Sequence, residues 1–193
     1  VYGAGDDYNG GTITIKKINA NNITILYGTV YENIITLGNA FTHGNWSHVM
    51  VTFDGGTTGT DPNDLSDYYS RFNVYVNGVL ASTIGVNSNQ GYDGVISGEN
   101  TSDNIFRIGR ASNVHNNYFD GYMNSIAIWA SDQSANISDI YNSGTLHNLS
   151  DLNSAPDHYY EIENSITTIT DNEGSANLTG YNFTSSDLVT DTP

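Results

Sequence analysis

Apolar and polar residues alternate with a period of two through much of this chain, and only an extended strand turns such alternate residues onto one face. Thr12-Ile13-Thr14-Ile15-Lys16 and Asn22-Ile23-Thr24-Ile25-Leu26-Tyr27 carry the pattern on either side of a polar turn, Ile18-Asn19-Ala20-Asn21, and so read as a β-hairpin. Further strands are expected over residues 34–37, 46–53, 71–76, 79–83, 104–109 and 121–129. In the segment 46–53, Trp46, His48, Met50 and Thr52 share one face and Ser47, Val49, Val51 and Phe53 the other. Asn77-Gly78 is the strongest short hairpin signal, because both residues tolerate the positive φ of a type I′ turn. Only one helix is expected: Ile137, Ile140 and Tyr141 fall at i, i+3 and i+4, Ser134 or Asn136 can cap its start, and Gly144 can end it.

Each half-apolar strand must hide one face, so sheets of this kind stack in pairs. The chain therefore reads as all-β, a sandwich or jelly roll of antiparallel strands. Residues 54–70, with Asp54, Asp61, Asp64 and Asp67, read as a long surface loop between two strands. After His158 short strand-like pieces return, Tyr159-Tyr160-Glu161-Ile162 and Ile166-Thr167-Thr168-Ile169. At 193 residues the whole chain, 1–193, is expected to form a single domain with a C-terminal strand extension over about 157–193. Val1 is not an initiator Met, and the chain reads as a processed or excised piece.

Charge narrows the partners. Twenty-one Asp and Glu face only five Lys and Arg, a formal net charge of -16. Phosphate backbones and anionic membrane surfaces both need clustered cations, which Lys16, Lys17, Arg71, Arg107 and Arg110 do not supply, so no nucleic acid and no membrane partner is expected. No apolar run approaches the roughly 20 residues of a membrane span. With no Cys, disulfides, thiolate metal sites and thiol nucleophiles are excluded.

The order of the landmarks is more specific than the strand count. Asn45-Trp46-Ser47-His48-Val49, leading to Val51-Thr52-Phe53-Asp54-Gly55, resembles the "NW-H-hV-hT-DG" strand of laminin G-like and pentraxin-like domains. Phe72-Asn73-Val74-Tyr75-Val76-Asn77-Gly78-Val79 resembles their "lyvNG" hairpin, and Ile105-Phe106-Arg107-Ile108-Gly109-Arg110 their "l.IG" strand. Tyr118-Phe119-Asp120-Gly121-Tyr122, continuing to Trp129, is similar to "yFdG.iDevaiw", and Ile137–Gly144 in numbers 137–144 to the helix "s.IsdiYnsG". The resemblance covers roughly residues 10–150. It implies the concanavalin A-like jelly-roll β-sandwich, two antiparallel sheets with one short helix. It also implies that the family's opening strands lie before residue 1. The tail, over 157–193 with Asp171-Asn172-Glu173-Gly174-Ser175 and Ser186-Asp187-Leu188-Val189, is similar to the ending of laminin G-like proteins in marine bacteriophage virions.

That resemblance implies a non-enzymatic virion protein that displays a lectin-like domain and binds host surface glycans, in capsid decoration, tail or fibre. Its partners would be host glycans, other virion proteins and further copies of the chain, and its location the virion surface. The alternative is a secreted adhesin or calcium-dependent carbohydrate-binding module at a bacterial surface. A glycan-degrading enzyme on this fold needs paired carboxylates roughly 5 Å apart. Glu161-Ile162-Glu163 is the nearest approach, but the family signature E-x-D-x-x-E is missing, so no catalytic residue is assigned.

Tyr8, Tyr92, Asn113 and Tyr118 are the candidate glycan-binding residues: rings stack on sugars, and amides bond their hydroxyls. Tyr122, also near a turn, shares the chemistry. In pentraxin-like relatives two loops supply calcium ligands, which here implies Asp7, Asn9, Asn113 and Asp120. Ala111, Ser112 and Asn124 stand where relatives carry stronger ligands, so any calcium is expected to be held weakly. His43, His48, His115, His147 and His158 show no zinc spacing, and His48 is read as structural. The surplus acids keep strand edges from pairing, and salt water screens their repulsion within about 8 Å or less.

Overall fold

The alternating segments pair as antiparallel ladders in the computed structural model, which describes residues 2–4, 13–19, 22–27, 33–37, 42, 44–53, 72–81, 85–88, 106–109, 119–162 and 167–189. In chain order the strands are β1 (Tyr2–Ala4), β2 (Ile13–Asn19), β3 (Asn22–Tyr27), β4 (Asn33–Leu37), β5 (Val49–Phe53), β6 (Phe72–Val76), β7 (Val79–Leu80), β8 (Gly85–Ser88), β9 (Phe106–Ile108), β10 (Ile126–Ile128), β11 (His158–Tyr160), β12 (Thr168–Ile169) and β13 (Leu178–Thr179). The helix α1 spans Ile137–Tyr141. Among the described residues these strands form a six-stranded sheet ordered β8-β4-β3-β2-β1-β9, a three-stranded sheet β5-β6-β7, and the pairs β10-β11 and β12-β13.

The first hairpin is tighter than its polar turn suggests. Ile18 and Asn19 belong to β2, and Asn19 pairs with Asn22 after a register shift between Lys17 and Asn19. The bulge absorbs the extra residue and lets the ladder run on to a two-residue connection. β1 and β8 carry no alternation and were not expected from the sequence. β1 lies between β2 and β9, with Tyr2 opposite both Ile15 and Ile108, and β8 extends β4. Their partners supply the ladder that Gly3, Ala4 and Gly85 would not favour alone.

The second hairpin forms as its turn residues require. Asn77 and Gly78 take φ of 50° and 76°, the positive pair of a type I′ turn, and β6 and β7 pair with Val76 opposite Val79. At Gly78 a Cβ would lie 2.6 Å from Cδ1 of Tyr141, so the turn also seats α1. Of the two faces of β5, Met50 and Thr52 are the buried one. Strand structure begins only at Val49, later than expected: the His48 N–H donates to the side-chain Oδ1 of Asn77 at 2.9 Å, in place of a backbone carbonyl, while the Asn77 N–H donates to the His48 carbonyl at 3.0 Å.

Helix α1 is flanked by 3-10 turns at Ser134–Asn136 and Asn142–Gly144. Its approach is capped by Asp132, not by Ser134 or Asn136: Asp132 Oδ1 accepts the Ser134 N–H at 2.9 Å, and Asn136 spends its amide on Gln133. Asn142, left-handed at φ 45°, ends α1 two residues before Gly144 by returning its N–H to the Ser138 carbonyl. Met50, Ile140, Leu149 and Tyr159 form a buried cluster, with Tyr75, Ala127, Trp129, Ile137 and Leu152 packed against it. That cluster ties β5, β6, β10, β11 and α1 to one core, each fully buried side chain of this size stabilising it by about 1.5–3 kcal/mol. No helix among the described residues is long and apolar enough to cross a membrane.

Candidate functional site

Two neighbourhoods hold the polar and aromatic residues that could do chemistry. The first joins the lead-in to β5 with the lead-in to β10. The Phe119 N–H donates to the Gly109 carbonyl at 2.8 Å and so carries the end of β9 into this turn. Gly121 adopts φ +151°, and a Cβ there would meet Phe119 Cε1 at 2.9 Å, so glycine is required on both counts. Tyr122 follows, 59% exposed, its ring centroid 6.4 Å from that of half-buried Trp46 with the planes tilted by 32°. Asp120 and Asn45, the neighbours of these rings along the chain, are exposed. Asn124 turns its Oδ1 onto its own backbone and accepts the Ser125 N–H at 2.7 Å, which holds Ser125 at φ 40°. Asn124 is thus bonded within the turn.

The second neighbourhood is built on Asp171. Its side chain is wholly buried and both oxygens are satisfied. Oδ1 accepts the N–H groups of Tyr159 and Gly174, each at 3.0 Å. Oδ2 accepts Nδ1–H of His158 at 2.7 Å and the Ala176 N–H at 3.0 Å. Burial pushes this carboxyl up, but the His158 bond and the three backbone donors outweigh it and hold the group well below the usual carboxylate range. Gly174 is needed at this hub, since a Cβ would lie 2.5 Å from Asp171 Oδ2 and 2.6 Å from His158 Nδ1. The Tyr160 hydroxyl adds a bond to the Ala176 carbonyl at 2.9 Å, and the Asn172 N–H donates to the Tyr159 carbonyl at 2.7 Å. The arrangement fastens the tail to β11, and the carboxylate has no lone pair left over for a ligand.

Of the carboxylates weighed for glycoside chemistry, only Glu161 is described. Glu161 Oε1 accepts the Tyr159 hydroxyl at 2.8 Å and Oε2 accepts the Asn172 amide at 3.2 Å; Glu163 lies outside the described residues. Burial pushes the Tyr159 phenol up to about 12, reinforced by Glu161, so it remains a donor. The His48 ring sits 5.6 Å from that of Tyr141, its Nδ1 is buried without a hydrogen-bond partner among the described residues, and burial lowers its pKa. Tyr8, Tyr92, Asn113, Tyr118, Asp7 and Asn9 lie outside the described residues, as does the acidic loop 54–70. Asp120 alone of the proposed calcium set is described, and it is exposed. No cluster of three metal-ligating His, Asp or Glu occurs among the described residues.

The sequence puts Trp46 in one expected strand, 46–53, and Tyr122 at the start of another, 121–129, near a turn, and nothing in it brings the two together. The Asp171 hub was missed altogether; an Asp three residues before a Gly signals a side-chain-capped turn, but nothing in the spacing points to His158.

The antiparallel sheets define an all-β domain. Residues 3–136, more than half of the chain, match the family model of the concanavalin A-like lectin/glucanases superfamily, of laminin G type. The chain belongs to that family, and its antiparallel sheets with one short helix are the fold expected for it. Neither the curated proteins nor the solved structures include a match. The matched stretch stops at residue 136, before α1, β11 and the tail.

Proposed function

We propose that this lectin-like domain is non-enzymatic and binds carbohydrate, and that it does so on the surface of a marine phage virion, holding the particle to host glycans. The observation that carries the reading is membership of the lectin/glucanases superfamily over residues 3–136; the step from family to activity is analogy. Against catalysis stands Glu161, both of whose oxygens are engaged by Tyr159 and Asn172. The virion assignment rests on the resemblance of the tail, over 157–193, and its partners would be host glycans, other virion proteins and further copies of the chain. Calcium held by Asp7, Asn9, Asn113 and Asp120 is an additional proposal.

A glycan array probed with the intact chain, with and without EDTA, tests the reading. Binding that survives EDTA is expected to be weakened only where calcium contributes, and complete loss in EDTA would favour the calcium-dependent adhesin. No glycan retained in either condition would sink the carbohydrate reading, and turnover of any polysaccharide would overturn the non-enzymatic one. Antibody labelling of purified virions tests the location separately.

A further inference from the structure

We propose that Trp46 and Tyr122 form a stacking subsite for an uncharged pyranose, an inference that rests on the carbohydrate-binding reading above. The two rings come from segments 76 positions apart and meet at 6.4 Å with a 32° tilt. That is within the range of an aromatic pair. Tyr122 in particular leaves 59% of its surface in water. A large exposed ring is common on a surface by itself. This one is held by a turn that only glycine can make: Gly121 at φ +151° brings the Phe119 ring to within 2.9 Å of where a Cβ would stand. Trp46 is held from the other side, two residues before His48, whose backbone is bonded twice to Asn77. Both rings thus sit on fixed backbone, which lowers the ordering cost of binding.

The chemistry around them selects the ligand. An aromatic face is electron-rich and attracts the polarised C–H face of a pyranose, while its hydroxyls need donors and acceptors at the rim. Exposed Asp120, two residues from Tyr122, accepts hydroxyl protons, and exposed Asn45, next to Trp46, both donates and accepts. No Lys or Arg occurs in residues 44–53, nor anywhere after Arg110, in a chain of net charge -16. Sulfated and uronic-acid polysaccharides would meet the exposed carboxylate of Asp120 in a strongly acidic chain. The subsite therefore takes a neutral hexose.

The test measures retention of the intact chain by affinity electrophoresis in neutral polysaccharides (laminarin, dextran, mannan) and in charged ones (alginate, carrageenan). Four proteins are compared: the unaltered chain, Tyr122→Ala, Tyr122→Phe and Tyr181→Ala, with melting curves to confirm folding. Tyr181 is the control, an exposed tail tyrosine that is no part of the subsite. Expected is retention by a neutral polysaccharide, weakened roughly tenfold by Tyr122→Ala, kept by Tyr122→Phe, and unchanged by Tyr181→Ala. If the unaltered chain binds and Tyr122→Ala binds equally, or if only charged polysaccharides are bound, the subsite is overturned while carbohydrate binding stands. If the unaltered chain binds none of them, both fall.

Discussion

In the six-stranded sheet, β3 is paired along its length on both sides, from Ile23 to Tyr27 against β4 and from Asn22 to Tyr27 against β2. From residue 157 onward the strands are two or three residues long, and β12 and β13 share only the pairs Thr168–Thr179 and Ile169–Leu178. An isolated pair that short is marginal in water. Beside one backbone bridge, Tyr160 to Asp171, with the Asn172 N–H on the Tyr159 carbonyl, what holds the tail is a set of side-chain bonds: Asp171 to four donors, Tyr160 to Ala176, Glu161 to Asn172. A ladder spreads its stability over many equivalent bonds. A hub concentrates it in one carboxylate, and the tail is correspondingly vulnerable to one substitution.

The largest effect should come from Asp171→Ala. It strands His158 and three backbone donors, and a loss of about 3–5 kcal/mol is expected in chemical denaturation. Limited proteolysis should then cut within 167–189 while amides of β2, β3 and β4 keep their protection from hydrogen exchange. If sheet and tail lose protection together, the two regions are one cooperative unit and the contrast breaks.

Gly174→Ala comes next. The new methyl would press on Asp171 and His158 at about 2.5 Å, and a cost of about 1–3 kcal/mol is expected; an unchanged melting temperature would show that the hub can yield.

Acid should loosen the tail before the sheet. Because the folded Asp171 pKa lies below its unfolded value, its stabilisation is complete above the ordinary carboxylate value of about 3.9 and is lost as pH falls from there toward the lower folded value. Asp171→Asn removes that titration, so its stability should fall less steeply below pH about 4; parallel curves for the two proteins would place the acid sensitivity elsewhere.

The smallest change is His158→Ala. The side chain is 39% exposed and supplies one of the four bonds to the carboxylate, so about 1 kcal/mol is expected from denaturation curves. A loss as large as that of Asp171→Ala would mean that the histidine, not the backbone donors, holds the loop.

The same contrast explains what could be read in advance. β2, β3, β5 and β6 announce themselves by alternation, and Asn77-Gly78 by its need for positive φ, because these signals are local. β1 and β8 become strands only because neighbours offer an edge, and Asp171 finds His158 thirteen residues away through the fold. Of the aromatic turn, Tyr122 could be named as a ring near a bend, but its meeting with Trp46 is tertiary. Asp120 could be named as a candidate calcium ligand, but its exposure could not, nor could the bond of Asn124 to Ser125.

Calorimetric titration of the intact chain with a neutral polysaccharide, at low salt and again near seawater salt, is the most direct test that this domain holds sugar by stacking and hydrogen bonds. Saturable binding is expected at both, with little change in affinity, because no ion pair contributes and screening has nothing to weaken. No heat at either salt, or binding abolished by salt, would contradict it.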